Sequence, residues 1–268
     1  MKKRLPGFLL VLAALCLFAQ NKTFVYQLDY RYSDKKDDKK KEIFTLDIVN
    51  QQSVFRTEDE KKSDSLLANG KYGYATNLNL ENQIYVIKDG DKNEISKFYR
   101  TLLKTYYDVK ITEKLDWKIL PDKDKIGDFE VQKAEVNYGG RNWTAWFTAE
   151  IPITEGPYVF NGLPGLIVKV KDSRDDYDFT LKAIKKNMGD LYLKKRGLKV
   201  DYPTFKKLMM NYYNDPYTEA RMANVPIAKD DGHGNPVRTT FTEMTPTVQK
   251  HIRDTNNPIE LNYKNDYK

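Results

Sequence analysis

The chain has 268 residues, 13% of them aromatic with 19 Tyr, and carries 45 Lys and Arg against 38 Asp and Glu, a formal net charge of +7. Its bases are interleaved with acids, which leaves nucleic-acid binding without an electrostatic footing. The one cysteine, Cys16, lies in an N-terminal leader, so disulfides and thiol chemistry are excluded from the processed chain.

Residues 1–20, MKKRLPGFLLVLAALCLFAQ, set basic residues before an apolar run and Ala19, the layout of a secretory signal peptide cut after Ala19 or Gln20. The run is shorter than the roughly 20 residues a membrane span needs, so no span is expected after its removal. Leu15 precedes Cys16 where a lipidation site wants a small residue, so the product is expected unlipidated. Loss of Lys2, Lys3 and Arg4 brings the net charge to about +4. What remains, 21–268, is long enough for one β domain with its own core.

Phe24, Tyr26, Leu28, Tyr30 and Tyr32 alternate with more polar residues and predict a first strand with an aromatic inner face. The charge run Ser33 to Lys41 reads as a solvated loop. Phe44, Leu46 and Ile48 predict a second strand, Ser53 to Arg56 begin a third, and Glu58 to Asn69 is a short helix or loop. Short segments follow at Gln83 to Lys88 and Ile95 to Asp108, then a strand over Leu115 to Leu120 that Pro121 and a charged turn through Lys125 end. Phe129 to Val136 and Arg141 to Glu150 pair across Asn137-Tyr138-Gly139-Gly140. Leu166 to Lys171 and Tyr177 to Ile184 pair across Asp172 to Asp176.

Near Asp201 the period changes. Phe205, Leu208, Met209 and Tyr212 fall at i, i+3, i+4 and i+7, with Pro203 in the first turn, and predict an amphipathic helix. Pro216 to Asn224 is a candidate second helix, and the chain from about 225 to 268 reads as irregular. The fold class is therefore mainly β: an antiparallel sheet or half-open barrel with a small C-terminal helical element over about 201–224.

Between the two hairpins lies Gly156 to Val170, GPYVFNGLPGLIVKV, where Gly156-Pro157, Asn161-Gly162 and Pro164-Gly165 each turn the chain. Pro164 and Gly165 suit the central positions of a type II turn, with positive φ at Gly165. Leu166, Val168 and Val170 then share one face of a strand. The corner is architectural and contains no group that does chemistry.

That run, with Trp117, Ile126-Gly127, Gln132-Lys133-Ala134, Arg141, Trp143, Ala145-Trp146, Ile151-Pro152, Gly156-Pro157 and the hexapeptide Gly162, Leu163, Pro164, Gly165, Leu166, Ile167, resembles the GLPGLI family of secreted bacterial proteins. The Asn257-Pro258-Ile259-Glu260 piece resembles that family's C-terminal pattern, while Val131 stands where many members have cysteine. The family has no established biochemical role. Its genes often neighbour those of TonB-dependent receptors, so the resemblance implies an accessory role at the outer membrane.

Candidate chemistry is sparse. His233 lies near Asp230 and Asp231 without metal-ligand spacing, and reads as a polar loop; His251 has no recognisable partner. Asp172, Asp175, Asp176 and Asp178 lack the calcium-loop pattern and read as a hydrated hairpin loop, with a glycosidase pair as the sharper alternative. On the strand Arg141 to Thr148, Trp143, Ala145 and Phe147 share one face, which leaves Trp146 on the other as a candidate ligand platform. The expectation is an exported, non-catalytic binding or accessory protein of the periplasm or outer membrane. No cofactor, metal or catalytic residue is assigned. Its partner is an outer-membrane receptor or an apolar or peptide-like ligand held in a sheet concavity, with a carboxylate-dependent hydrolase as the alternative.

Overall fold

In a computed structural model of the chain, the structure describes residues 21–33, 39–74, 80–101, 105–187, 189–194 and 197–268. The signal-peptide segment 1–20 and most of the charge run, at 34–38, lie outside the described residues. Strands β1 (Lys22–Tyr30), β2 (Lys40–Val49) and β3 (Gln52–Thr57) lead into helix α1 (Glu58–Ala68). Next come β4 (Val86–Asp89), β5 (Glu94–Arg100) and β6 (Tyr106–Ile111), then β7 (Lys118–Ile126), β8 (Phe129–Tyr138) and β9 (Arg141–Thr148). After the corner come β10 (Leu166–Asp172), β11 (Tyr177–Lys186) and β12 (Leu198–Val200). Helices α2 (Tyr202–Asn214) and α3 (Thr218–Met222), the small hairpin β13 (Ala228–Asp230) and β14 (Pro236–Arg238), and helix α4 (Phe241–Asp254) complete the chain.

Strands β1 to β12 form one 12-stranded sheet in the order β12-β6-β5-β4-β3-β2-β1-β11-β10-β9-β8-β7. Every pairing is antiparallel except the short β12 beside β6. The two outermost strands do not pair, so the sheet is not closed into a barrel. It curls nonetheless. Lys97 on β5 and Tyr138 on β8, eight positions apart in the strand order, both hydrogen-bond Glu260 in the interior.

The inner face is aromatic from the first strand. Phe24, Tyr26, Leu28 and Tyr30 are buried there, joined by Phe44, Phe55, Trp143, Phe160 and Phe179 in one continuous core. Each such side chain contributes about 1.5–3 kcal/mol relative to exposure. Helix α1 packs on the other face of β2 and β3, with its N-terminus capped by Thr57 and acids in its first turn. Asp201 caps α2 by accepting from the Thr204 N–H. The β8–β9 turn is two residues, Gly139 and Gly140, with φ of +62° and +75°, the mirror-image turn that matches strand twist.

Three local expectations need correction. Strand β7 does not end at Pro121 but runs through it to Ile126, with a register shift between Ile119 and Lys123. An edge strand with a bulge tolerates a residue that lacks a ladder donor. The segment from 225 to 268 is not irregular throughout, because α4 occupies Phe241–Asp254. Thr240 accepts from the Glu243 N–H, and Pro246 lies inside the helix, where it removes the one ladder N–H that would meet Thr242 O. The third correction concerns Gly165, whose φ is +154°, away from a type II turn. Its N–H instead donates to Leu163 O at 2.8 Å, a three-residue turn centred on Pro164.

Candidate functional site

The corner is a plug. Tyr158, Val159, Phe160 and Leu163 are all buried in the main core. Lys88 on β4 anchors it: the ammonium donates to Glu155 Oε2 at 2.5 Å, to Gly156 O at 2.8 Å and to Phe160 O at 3.2 Å. Burial lowers the Lys88 pKa, and the Glu155 carboxylate only partly opposes it. Glu155 also accepts from Ser53, and the Trp117 indole donates to Asn161 O at 2.8 Å. Glycine is demanded by contact: a Cβ at Gly156 would collide with Ile167, and one at Gly165 would fall on the Thr148 carbonyl. Gly156, Pro157 and the Gly162–Ile167 hexapeptide therefore sit in a packed, hydrogen-bonded corner. Outside it, polar residues such as Asn50, Asp89 and Thr154 line a shallow hollow of about 620 Å³.

Beneath the plug lies an ion pair that spacing in the sequence could not reveal. Glu260 accepts from Lys97 Nζ at 2.9 Å, from Tyr138 Oη at 2.9 Å and from the Tyr158 hydroxyl. Burial alone would raise the Glu260 carboxyl, but Lys97 and the two tyrosines outweigh it and the net direction is down. Burial likewise works against the Lys97 cation, and Glu260 reverses it to a net rise. Nearby, Arg141 pairs with Asp172 at 2.7 Å and Asp176 at 2.9 Å, and donates to Asn257 Oδ1 at 2.7 Å. The Asn257–Glu260 piece is thus the inner latch that ties the C-terminal segment to both sides of the curled sheet.

The acidic hairpin loop is correspondingly less solvated than expected. Asp172 is buried and caps the turn by accepting from the Asp176 and Tyr177 N–H groups, while Asp178 pairs with Lys169. Strand alternation, by contrast, holds. Trp143, Ala145 and Phe147 are buried on the inner face. Trp146 is half-buried on the outer face, directly between Lys133 of β8 and Lys169 of β10. Those lysines pair with Glu135 and Asp178, so the Trp146 ring is flanked by aliphatic stems whose charges are already matched.

The same outer face, under α1, holds Arg56, fully buried between Asp47 at 3.4 Å and Asp64 at 2.6 Å. His233 lies in the exposed β13–β14 turn, where Asp230 and Asp231 accept from backbone N–H groups of their own loop. His251 is exposed in the last turn of α4. Among the described residues, no group of three or more His, Cys, Asp or Glu is placed to hold a metal ion.

A smaller recess lies elsewhere, at the end of the sheet where β1, β3 and β5 finish and β2, β4 and β6 begin. Its volume is about 190 Å³, and Tyr30, Tyr32, Tyr74, Tyr85, Tyr99 and Tyr106 line it beside Glu42, Asp59, Glu60, Arg100 and Lys194. The rings are pinned: Tyr32 donates to Asn82 O at 3.1 Å, Tyr85 to Asp64 Oδ2 at 2.8 Å, and Tyr30 packs 4.4 Å from Tyr32. Tyr74, 48% exposed, forms the rim. Glu60 is committed to Lys194, which lies over the Tyr85 ring. Glu42 is held more loosely, by the Tyr30 hydroxyl at 3.4 Å. Burial pushes its pKa up, the Tyr30 bond opposes, and Asp59 and Glu60 add to the rise. Aromatic walls, hydroxyls and one carboxyl biased toward its neutral form suit a small ligand with polar and apolar parts. Sequence periodicity placed Tyr30 and Tyr32 on the inner face, but the meeting of six strand ends is a property of the sheet order alone.

An open, curled antiparallel sheet plugged by its own loop defines the class of fold. The profile of a family described as "Protein of unknown function (Porph_ging)" matches residues 109–169, from β6 through the corner into β10. Two solved structures of PNGF-II, in the P21 and C2 space groups, share the fold at TM-scores of 0.50 and 0.51 with 16% identity. In each, the match covers 72% of this chain and 33% of the other, so this chain spans about a third of that protein's length. No curated protein matches the chain.

Proposed function

We propose that this chain is an exported binding protein of the bacterial envelope and that the tyrosine recess takes a small peptide-like ligand. The carrying observation is the recess of about 190 Å³ itself, in which pinned tyrosines surround the loosely held Glu42. The mixed lining favours a peptide-like ligand over a purely apolar one, and the sheet concavity is occupied by the core. The half-buried, lysine-flanked Trp146 becomes a secondary contact at most.

The leader-like residues 1–20 support export to the periplasm or outer membrane. The hexapeptide Gly162 to Ile167 supports the finer GLPGLI reading, and with it an accessory role beside an outer-membrane receptor. Among the described residues, no helix is long and apolar enough to cross a membrane.

A second reading has one observation in its favour. A carboxyl with a raised pKa beside Asp59 and Glu60 is the arrangement a carboxylate-dependent hydrolase uses for acid–base work. One experiment separates the two. Immobilised protein is incubated with a synthetic tripeptide-to-pentapeptide library, and retained and released peptides are read by mass spectrometry. The binding reading expects intact peptides to be retained, with retention falling at least tenfold in Tyr74→Ala. Cleaved products that vanish in Glu42→Gln would transfer the assignment to the hydrolase. Retention that is absent, or unaltered by Tyr74→Ala, overturns the recess as the binding site.

A further inference from the structure

A second cavity, independent of the recess, lies between α2, α3 and the inner face of β6. The stripe Phe205, Leu208, Met209 and Tyr212 that makes α2 amphipathic is only partly used by the core. Phe205 and Met209 are buried in it, while Leu208 and Tyr212 remain half-buried. The cavity on that shoulder measures about 180 Å³ and is walled by Leu80, Tyr107, Phe205, Leu208, Met209 and Pro216, with Ala220 at its back. An apolar protein cavity of ~150 Å³ is known to stay dry and admit benzene, which sets the scale of an occupant.

Two carboxylates stand at the rim, and a cation matches one of them. Asp215 accepts from the Thr218 hydroxyl at 2.6 Å and pairs with Arg221. Glu219 accepts from Thr101 Oγ1 at 2.7 Å. Arg221 matches Asp215, while Glu219 meets only that neutral hydroxyl, so the rim keeps an acidic character that repels an anion. Burial, with Tyr217 and Glu219 adding to it, pushes the Tyr212 phenol up to about 12, so that hydroxyl stays neutral. Asn211 adds an amide to the lining. From volume, apolar walls and the acidic rim we infer that this cavity is a binding site for a single-ring aromatic molecule that carries no negative charge.

The test uses the full processed chain with methyl-labelled methionine, so that the Met209 methyl resonance reports the cavity wall. Toluene and phenol should both shift that resonance saturably. Benzoate, of similar size but anionic, should bind at least tenfold more weakly. Leu208→Phe and Ala220→Leu, two separate ways of filling the space, should each weaken toluene binding tenfold or more while circular dichroism stays that of the parent. Two variants are used because only one needs to remain folded. No response of Met209 to toluene or phenol overturns the inference, as does equal binding by a folded, filled variant or equal affinity for benzoate. Binding of a phenylalanine-containing peptide without toluene or phenol would give the cavity to a macromolecular partner and would overturn it as well.

Discussion

The two ends of strands β1 to β5 treat their polar groups differently. At the Lys22 end, the corner at 155–165 closes on the sheet, and the polar groups there are matched: Lys88 has three acceptors, and Glu155 has two donors. At the Tyr30 end the tyrosines stand around a recess, and Glu42 is held by the Tyr30 hydroxyl at 3.4 Å. A buried carboxyl surrounded by donors is driven toward its charged form, whereas a half-buried one beside rings and other acids is driven toward its neutral form. Glu260 and Glu42 are those two cases in one molecule. The difference is the physical distinction between a structural carboxyl and one available to a ligand.

The largest way to break the comparison is to remove the structural carboxyl. Glu260→Ala leaves Lys97 as an uncompensated buried charge and strips the acceptor from Tyr138 and Tyr158. Breaking a buried pair from one side typically costs about 3–5 kcal/mol, and the urea midpoint should fall accordingly. Glu260→Gln keeps an acceptor for the tyrosines and should cost clearly less. Equal midpoints for Glu260→Ala and the parent would show that the latch contributes nothing.

A second contrast lies within one strand. Trp143 is fully buried and its indole donates to Tyr138 O at 3.0 Å, so Trp143→Ala should lose about 3–5 kcal/mol. Trp146, half-buried between Lys133 and Lys169, should lose only about 1 kcal/mol as alanine. Equal losses by urea denaturation would mean that the outer face is packed as tightly as the inner.

These contrasts also mark what was legible in the residues. Period-2 alternation gave the faces of β1 and β9 correctly, because a half-buried strand imposes that pattern directly. The i, i+3, i+4, i+7 stripe with Pro203 in the first turn gave α2. Pro121 was misread as a stop because edge position and bulging are tertiary properties of β7. Helix α4 was missed where prolines and glycines crowd the segment, although Thr240 and Glu243 carried a capping signal and Met244, Val248 and Ile252 a spacing of four. The candidate sites were least legible. Lys97 and Glu260 meet across 163 positions, and Glu42 acquires its character from burial and from Tyr30, Asp59 and Glu60 on two other elements. Nothing local marks either carboxyl.

The smallest expected effect is also the sharpest test of the difference between the two carboxyls. Glu42 has a folded pKa raised above its unfolded value, so the folded chain holds this proton more tightly than the unfolded chain does. Its favourable contribution is therefore complete below the ordinary carboxylate range and is lost as pH rises through the raised value. Glu260, with its pKa lowered, behaves in the opposite sense: its contribution is present above the ordinary range and is lost as pH falls through the lowered value. Glu42→Gln substitutes a group that is neutral at every pH and nearly isosteric with the protonated acid. The stability of this variant minus that of the parent should thus increase from pH 4 to pH 8, in favour of glutamine. Urea midpoints across that range measure it directly, and Glu260→Gln supplies the control, with its deficit relative to the parent growing as Glu260 ionises. A pH-independent difference for Glu42→Gln would show that Glu42 is as well solvated as a surface carboxylate, and the recess would lose the feature that distinguishes it from the plugged end.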